Sequence, residues 1–144
     1  MYGHWLCEEF NLEDYFGFVY RITNTINDRQ YIGKKQLFFT ERRKVKGRKN
    51  RKVIKKESDW KKYTGSNNEL NEEIRQKGGE LFTYEILRLC RTKTELGYFE
   101  CMYQFKENVL HSRLGGTEVY AFYNSNINNR WFRDKGWSDE IASD

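Results

Sequence analysis

Apolar and polar positions first fall into a clear order between Phe16 and Lys35. Phe16-Gly17-Phe18-Val19-Tyr20 and Tyr31-Ile32-Gly33-Lys34-Lys35 are short runs rich in aromatic and β-branched residues, and Asn24-Thr25-Ile26-Asn27-Asp28-Arg29 between them has the Asn and Asp content of a turn. The pair reads as a β-hairpin. An even loop, Thr25 to Asp28, sets Asn24 against Arg29, Ile22 against Tyr31 and Tyr20 against Gly33, so both tyrosines share a face. Gly33 carries no side chain, and this register predicts a hollow over it, between two phenolic hydroxyls, where a phosphate can approach the backbone. The second strand is expected to continue through Gln36-Leu37-Phe38-Phe39.

Downstream, Ser66 and Glu69 form a capping box ahead of an apolar stripe at Leu70 and Ile74, and Gly78-Gly79 ends that helix. Gly65-Ser66 at its start either simply begins the helix or holds an anion; Tyr63-Thr64-Gly65 before it reads as a connector. Leu81 to Cys90 alternates as a third strand, with Phe82, Tyr84, Ile86 and Arg88 on one face and Thr83, Glu85, Leu87 and Leu89 on the other. A second helix starts at Thr92, which boxes with Glu95, and Leu96, Phe99, Tyr103 and Leu110 give it an apolar stripe. Glu100 projects beside that stripe toward the core, where a carboxylate needs a partner, either an arginine or lysine or a divalent cation. Val119 to Asn124 reads as one more short extended piece, Met1 to Tyr15 as a short helix or irregular cap, and Asp139 to Asp144 as a frayed end. The order strand, strand, helix, strand, helix predicts an α+β fold, a small antiparallel three-stranded sheet flanked by helices.

Composition narrows the class. At 144 residues the chain fits one domain, and its three cysteines, Cys7, Cys90 and Cys101, are unevenly spaced and suit a reducing compartment. His4 with Cys7 makes a poor start to a zinc site because no Cys-x-x-Cys pair exists. No apolar run reaches membrane-span length and the start is acidic, so a soluble, cytoplasmic protein is expected. The net charge is +5, yet 12 Lys/Arg lie between Arg42 and Lys62 against only Glu57 and Asp59, which leaves the rest of the chain net acidic. Such a concentration is the footprint of a phosphate-backbone contact or a solvated loop. Its centre, Lys44, Lys46, Arg48, Lys49, Arg51 and Lys52, followed by Lys55 and Lys56, is expected to be a mobile loop that neutralises phosphates without reading sequence.

The hairpin resembles the signature of the GIY-YIG nucleases, a Gly-Ile-Tyr and a Tyr-Ile-Gly triplet on adjacent antiparallel strands. Tyr31-Ile32-Gly33 is intact and Phe18-Val19-Tyr20 keeps its tyrosine, with Phe18 where the family has glycine. The resemblance runs from Phe16 to Asn126 and is strongest to small phage-borne members, with a basic insertion at about 41–62. It implies a metal-dependent endonuclease acting on DNA, double-stranded by preference. Glu100 would hold one Mg²⁺ or Mn²⁺, and Tyr31 or Tyr20 would accept a proton from the attacking water. A phenol near pKa 10 needs adjacent positive charge for that, from Lys34 or Lys35. The family's arginine would be Arg42, Arg43 or Arg75, because Glu41 falls at the usual position. Asn124 or Asn126 matches an asparagine near the site. A double-strand cut would need two active sites or a homodimer. The competing readings are a non-catalytic basic DNA- or RNA-binding module and a nuclease-fold inhibitor or adaptor that binds a protein.

Overall fold

The computed structural model describes residues 1–50 and 52–133. Arg51 and the segment from Asp139 to Asp144 lie outside the described residues. Its centre is a three-stranded antiparallel sheet in the order β2-β1-β5, built from β1 (Gly17–Asn24), β2 (Gln30–Gln36) and β5 (Phe82–Cys90). The register of the first hairpin follows the parity of its loop: Tyr20 pairs with Gly33 and Ile22 with Tyr31, and the Asn24 amide donates to the Arg29 carbonyl. Asp28 completes the turn at φ 64, a left-handed conformation that Asp tolerates better than most residues.

Alternation along β1 sends its side chains into two cores, one on each face. Phe18, Tyr20 and Ile22 join Trp5, Trp60, Leu70 and Tyr84, while Val19 joins Ile32, Leu96, Val109 and Ile127. A bulge modifies the expected faces of β5: Val19 pairs with Arg88 but Tyr20 with Ile86, which leaves Leu87 as the extra residue. Parity therefore flips. Leu89 packs with the tyrosine-side core, and Arg88 turns to the other face, its guanidinium 3.7 Å above the Phe99 ring.

Helix α1 (Asn68–Lys77) is capped one residue later than expected, by Asn67, whose side chain accepts from the Leu70 amide. Ser66 is thereby free of capping. Gly78 ends the helix at φ 95. Helix α2 (Lys93–Lys106) begins as expected, with the Thr92 side chain accepting from the Glu95 amide. It packs on the face opposite the tyrosines through Leu96, Phe99 and Tyr103.

The basic segment departs most from expectation. Strand β2 stops at Gln36, and Leu37 is buried in the core; β3 (Phe38–Arg43) and β4 (Lys52–Glu57) then form a separate two-stranded ribbon. What reads as a charged loop is a hairpin, because backbone pairing holds strands whose Lys and Arg side chains spread into water. The N-terminal residues form an irregular cap with one 3-10 turn, Leu12–Asp14, and Leu6 bridges to the edge of β5. The segment from Tyr120 to Asn124 runs extended along the outer edge of β2: the Gln30 amide donates to Ala121 at 2.9 Å and the Tyr123 amide to Gln30 at 2.8 Å. The asparagine-rich stretch that follows folds into a small hairpin of β6 (Asn126–Ile127) and β7 (Trp131–Phe132), turning through Asn128 and Asn129 with positive φ. Among the described residues no helix is long and apolar enough to cross a membrane.

Candidate active site

A cleft of about 580 Å³ opens along the edge of β2. Tyr31 and Lys34 come to it from β2, Glu100 and Gln104 from α2, and Ser66 to Glu69 from the start of α1; Tyr123 to Asn126 and the β6–β7 turn close it. Tyr31 and Lys34 point to opposite faces of the sheet. They meet in one cleft because β2 is an edge strand, so side chains from both faces reach round its rim.

Glu100 sits here as its helical position requires, its side chain only 15% exposed and one oxygen 3.7 Å from Lys34 Nζ. Burial raises its carboxyl above the ordinary glutamate value, and Lys34 pulls it part of the way back. Both partners foreseen for it, a lysine and a cation, remain open to it. The cleft opens beside it, and one helical turn on, the buried Gln104 carboxamide oxygen has no hydrogen-bond partner among the described residues. Among those residues no cluster of three His, Cys, Asp or Glu exists. The donor set is oxygen alone, and of the two carboxylates lining the cleft Glu69 is held by Arg29 at 2.9 Å, a set that fits a hard cation on Glu100 that keeps most of its water and does not fit zinc.

The two tyrosines differ. Tyr31 lies at the cleft wall, its hydroxyl 3.4 Å from Ser66 Oγ. Tyr20 lies beneath, almost fully buried. The space over Gly33 is filled by Tyr20, contrary to the expected hollow: a Cβ built on Gly33 would stand 2.5 Å from Tyr20 Oη and 3.0 Å from Tyr31 Cε2. Gly65, at φ 86, also lies close to both rings, its hypothetical Cβ 3.1 Å from Tyr20 Oη. The missing side chain at Gly33 thus makes room for a phenol, and the phosphate-sized space lies further out, beside Tyr31.

Burial pushes the Tyr20 phenol well above its ordinary value, with Tyr31, Tyr63 and Glu100 adding to the rise. Tyr31 is also raised, chiefly by burial; Ser66 opposes this and Glu100 reinforces it. The expected lowering by a neighbouring lysine is therefore not found. Lys34 is engaged with Glu100. Lys35 shares the tyrosines' face but pairs with Asp59 at 2.8 Å and lies 4.0 Å above the Tyr63 ring.

The arginines expected from sequence do not line the cleft. Arg42 and Arg43 are on β3 of the ribbon, and Arg75 is exposed on α1 beside Glu72. The arginine that does line it, Arg133, gives its guanidinium to the carbonyls of Val109, Leu110 and Phe122. Asn124 is buried, and both atoms of its carboxamide bond the Ile32 backbone, which makes it a brace for β2 where a contact to nucleic acid was expected. Asn126 caps the small turn by accepting from the Asn129 amide. Of the basic residues, Lys44, Lys46, Arg48, Lys49, Lys52 and Lys56 are exposed on the ribbon and its turn, and Lys55 pairs with Glu13 at 3.0 Å.

Tyr63, read from sequence as part of a connector, and Ser66, read as a helix start or anion holder, complete the tyrosine cluster and its hydrogen bonding. The signal was present in Trp60-x-x-Tyr63-x-Gly65-Ser66, an aromatic density unusual for a mere connector. Trp60 is fully buried, and its carbonyl accepts from Trp5 Nε1 at 2.5 Å.

A three-stranded antiparallel sheet with two helices, and a cleft where the Tyr-Ile-Gly strand meets the glutamate of the second helix, describe a GIY-YIG nuclease domain. The chain belongs to the family described as "Putative endonuclease segE, GIY-YIG domain", whose model matches residues 2–127. No curated protein and no solved structure matches it.

Proposed function

We propose that this domain hydrolyses DNA phosphodiester bonds, with Glu100 holding one Mg²⁺ or Mn²⁺ and Tyr31 directing the attacking water. The observation that carries this reading is the arrival of Tyr31, Lys34 and Glu100 in a single cleft from two elements distant in sequence. The cation supplies Lewis acidity toward a phosphate oxygen. The protein's own groups do the rest. Lys34, partly exposed at the cleft mouth, stands ready to meet phosphate charge, the role the sequence assigned to an arginine.

A phenol raised above its ordinary value is a poor standing base, so Tyr31 acts as a relay. Its oxygen takes the proton of the attacking water as its own proton passes to Ser66 and on to solvent. The water oxygen bonds to phosphorus, the bond to the leaving oxygen breaks, and that oxygen is protonated from solvent. Tyr20, with no access to the cleft, positions Tyr31. One cleft cuts one strand, so a double-strand break requires two copies or two encounters.

The test is incubation of plasmid with the protein, with and without Mg²⁺, beside Tyr31→Phe and Ser66→Ala. Cleavage that needs the cation, falls by orders of magnitude in Tyr31→Phe and falls less in Ser66→Ala agrees with the relay. Turnover by Tyr31→Phe at the wild-type rate refutes it.

A further inference from the structure

We propose that the β3–β4 ribbon enters the major groove of B-form DNA and that Arg42 and Val53, side by side near its outer end, contact base edges there. The inference rests on DNA being the substrate and adds a mode of recognition to it. The expectation from sequence was phosphate contact alone.

Shape comes first. Two paired strands lie about 4.8 Å apart, and a major groove about 12 Å wide admits such a ribbon with its side chains. Among the described residues the ribbon's hydrogen bonds and ion pairs to the body lie in the half nearest its base. The Ser58 amide donates to Leu37 at 2.8 Å and its hydroxyl to Gln36 at 2.6 Å, and Lys55 reaches Glu13. Beyond that base, among the described residues, Arg42, Lys44, Lys46, Arg48, Lys49 and Lys52 make no ion pair within the chain. So many unpaired cations on one arm repel one another and add nothing to folding; they are available to a polyanion.

The register then separates the two faces. Glu41 shares one face with Arg43 and Lys56, which pair with it at 3.2 and 3.6 Å. On the opposite face Arg42 is the direct partner of Val53, and the nearest acid on that face, Glu57, is back at the base. Val53 is 57% exposed. An apolar side chain held in water among cations contributes nothing to the core, but beside a guanidinium it matches what a groove edge offers. Arg reads guanine O6 and N7, and an apolar group packs on the thymine methyl. Tyr31 and Arg42 are joined by a chain whose full extension is at most about 40 Å. Base contact therefore falls within about one and a half helical turns of the cut.

The experiment is fluorescence anisotropy of the full chain with duplex DNA in EDTA, so that binding is read without cleavage. Four probes are compared: an unmodified duplex, the same duplex with bulky C5-substituted pyrimidines that fill the major groove, the duplex saturated with netropsin in the minor groove, and an RNA duplex of the same sequence. The expected result is binding at least about tenfold weaker to the C5-substituted DNA and to the RNA, whose deep major groove excludes side chains, with little effect of netropsin. Val53→Ser and Arg42→Lys, both exposed positions, should leave the circular dichroism spectrum and the salt dependence unchanged while shrinking the C5 effect. Equal affinity for substituted and unmodified DNA, or for RNA and DNA, overturns the proposal and leaves the ribbon as a phosphate contact. Because cleavage is not read here, the nuclease reading stands or falls separately, by the plasmid assay.

Discussion

Asn124 closes on Ile32 with both ends of its carboxamide: the oxygen accepts the Ile32 amide at 3.1 Å and the nitrogen donates to the Ile32 carbonyl at 2.8 Å. One side chain thereby stands in for a neighbouring strand at the exposed rim of β2, in the middle of the Tyr-Ile-Gly triplet. Gln104 adds a second donor to the same carbonyl at 2.9 Å. Since Gln104 lies one turn beyond Glu100 on α2, this clamp ties the phenol of Tyr31 to the helix that carries the carboxylate. Asn124→Ala leaves the buried Ile32 amide unpaired, and urea unfolding should show a loss of about 1–3 kcal/mol. Asn124→Asp keeps the acceptor but sets a buried charge against the Ile32 carbonyl, and should lose more.

Gly33 is needed for contact with a ring. A methyl group there overlaps Tyr20 Oη and Cζ, at 2.5 and 2.8 Å, and Gly65, whose own Cβ position lies 3.1 Å from Tyr20 Oη, crowds the same phenol. Gly33→Ala should destabilise by about 1–3 kcal/mol and depress cleavage through displacement of Tyr31, visible as a lower Tm together with a lower rate at saturating DNA.

Cleavage should fall on the acid side as Glu100 takes up a proton. In the metal-free protein burial raises that carboxyl and Lys34 lowers it, so its titration without metal, read by carboxyl NMR, lies above an ordinary glutamate value of about 4.3. Removing the lysine removes the lowering influence. In metal-free Lys34→Ala that titration should move to higher pH, and an unmoved titration would show that Lys34 does not act on Glu100.

The same carboxyl weighs on stability. Its folded value exceeds its unfolded one, so the folded state binds more protons, and stability declines as pH rises from the unfolded value to the folded value. At neutral pH Glu100 is charged at a net cost. Glu100→Gln should therefore raise Tm at pH 7, by about 2–4 °C for each kcal/mol recovered, with the gain fading in acid. Scanning calorimetry at pH 7 and pH 4 checks this; a lower Tm at pH 7 would mean that Lys34 outweighs burial.

Parity and capping carried much of this structure in the sequence. The even loop from Thr25 to Asp28 places Tyr20 on Gly33, and the Thr92 cap with the Leu96 and Phe99 stripe places Glu100 on the cleft. Neither depends on anything far away in the chain. What was hidden depends on partners from elsewhere. The ribbon is masked because Lys and Arg occupy both of its faces, so no apolar–polar alternation marks its strands. The bulge at Leu87 arises from pairing with β1, and the filling of the space over Gly33 from the lean of the Tyr20 ring against Gly65. The role of Asn124 needed the last extended segment to be laid beside β2, which local pattern does not foretell. The arginines assigned by counting from Tyr31 miss the cleft for a related reason: the ribbon carries Arg42 and Arg43 away from it.

The most direct measurement is single-turnover plasmid cleavage in Mg²⁺ by wild type and Glu100→Gln, with DNA affinity and Tm taken on the same samples. The account predicts that the variant binds DNA as wild type does, melts no lower, and cuts at least about a thousandfold more slowly, the scale of losing a principal electrostatic group. A variant that folds, binds and still cuts at the wild-type rate would contradict it, because the meeting of Glu100 with Tyr31 would then have no part in the chemistry.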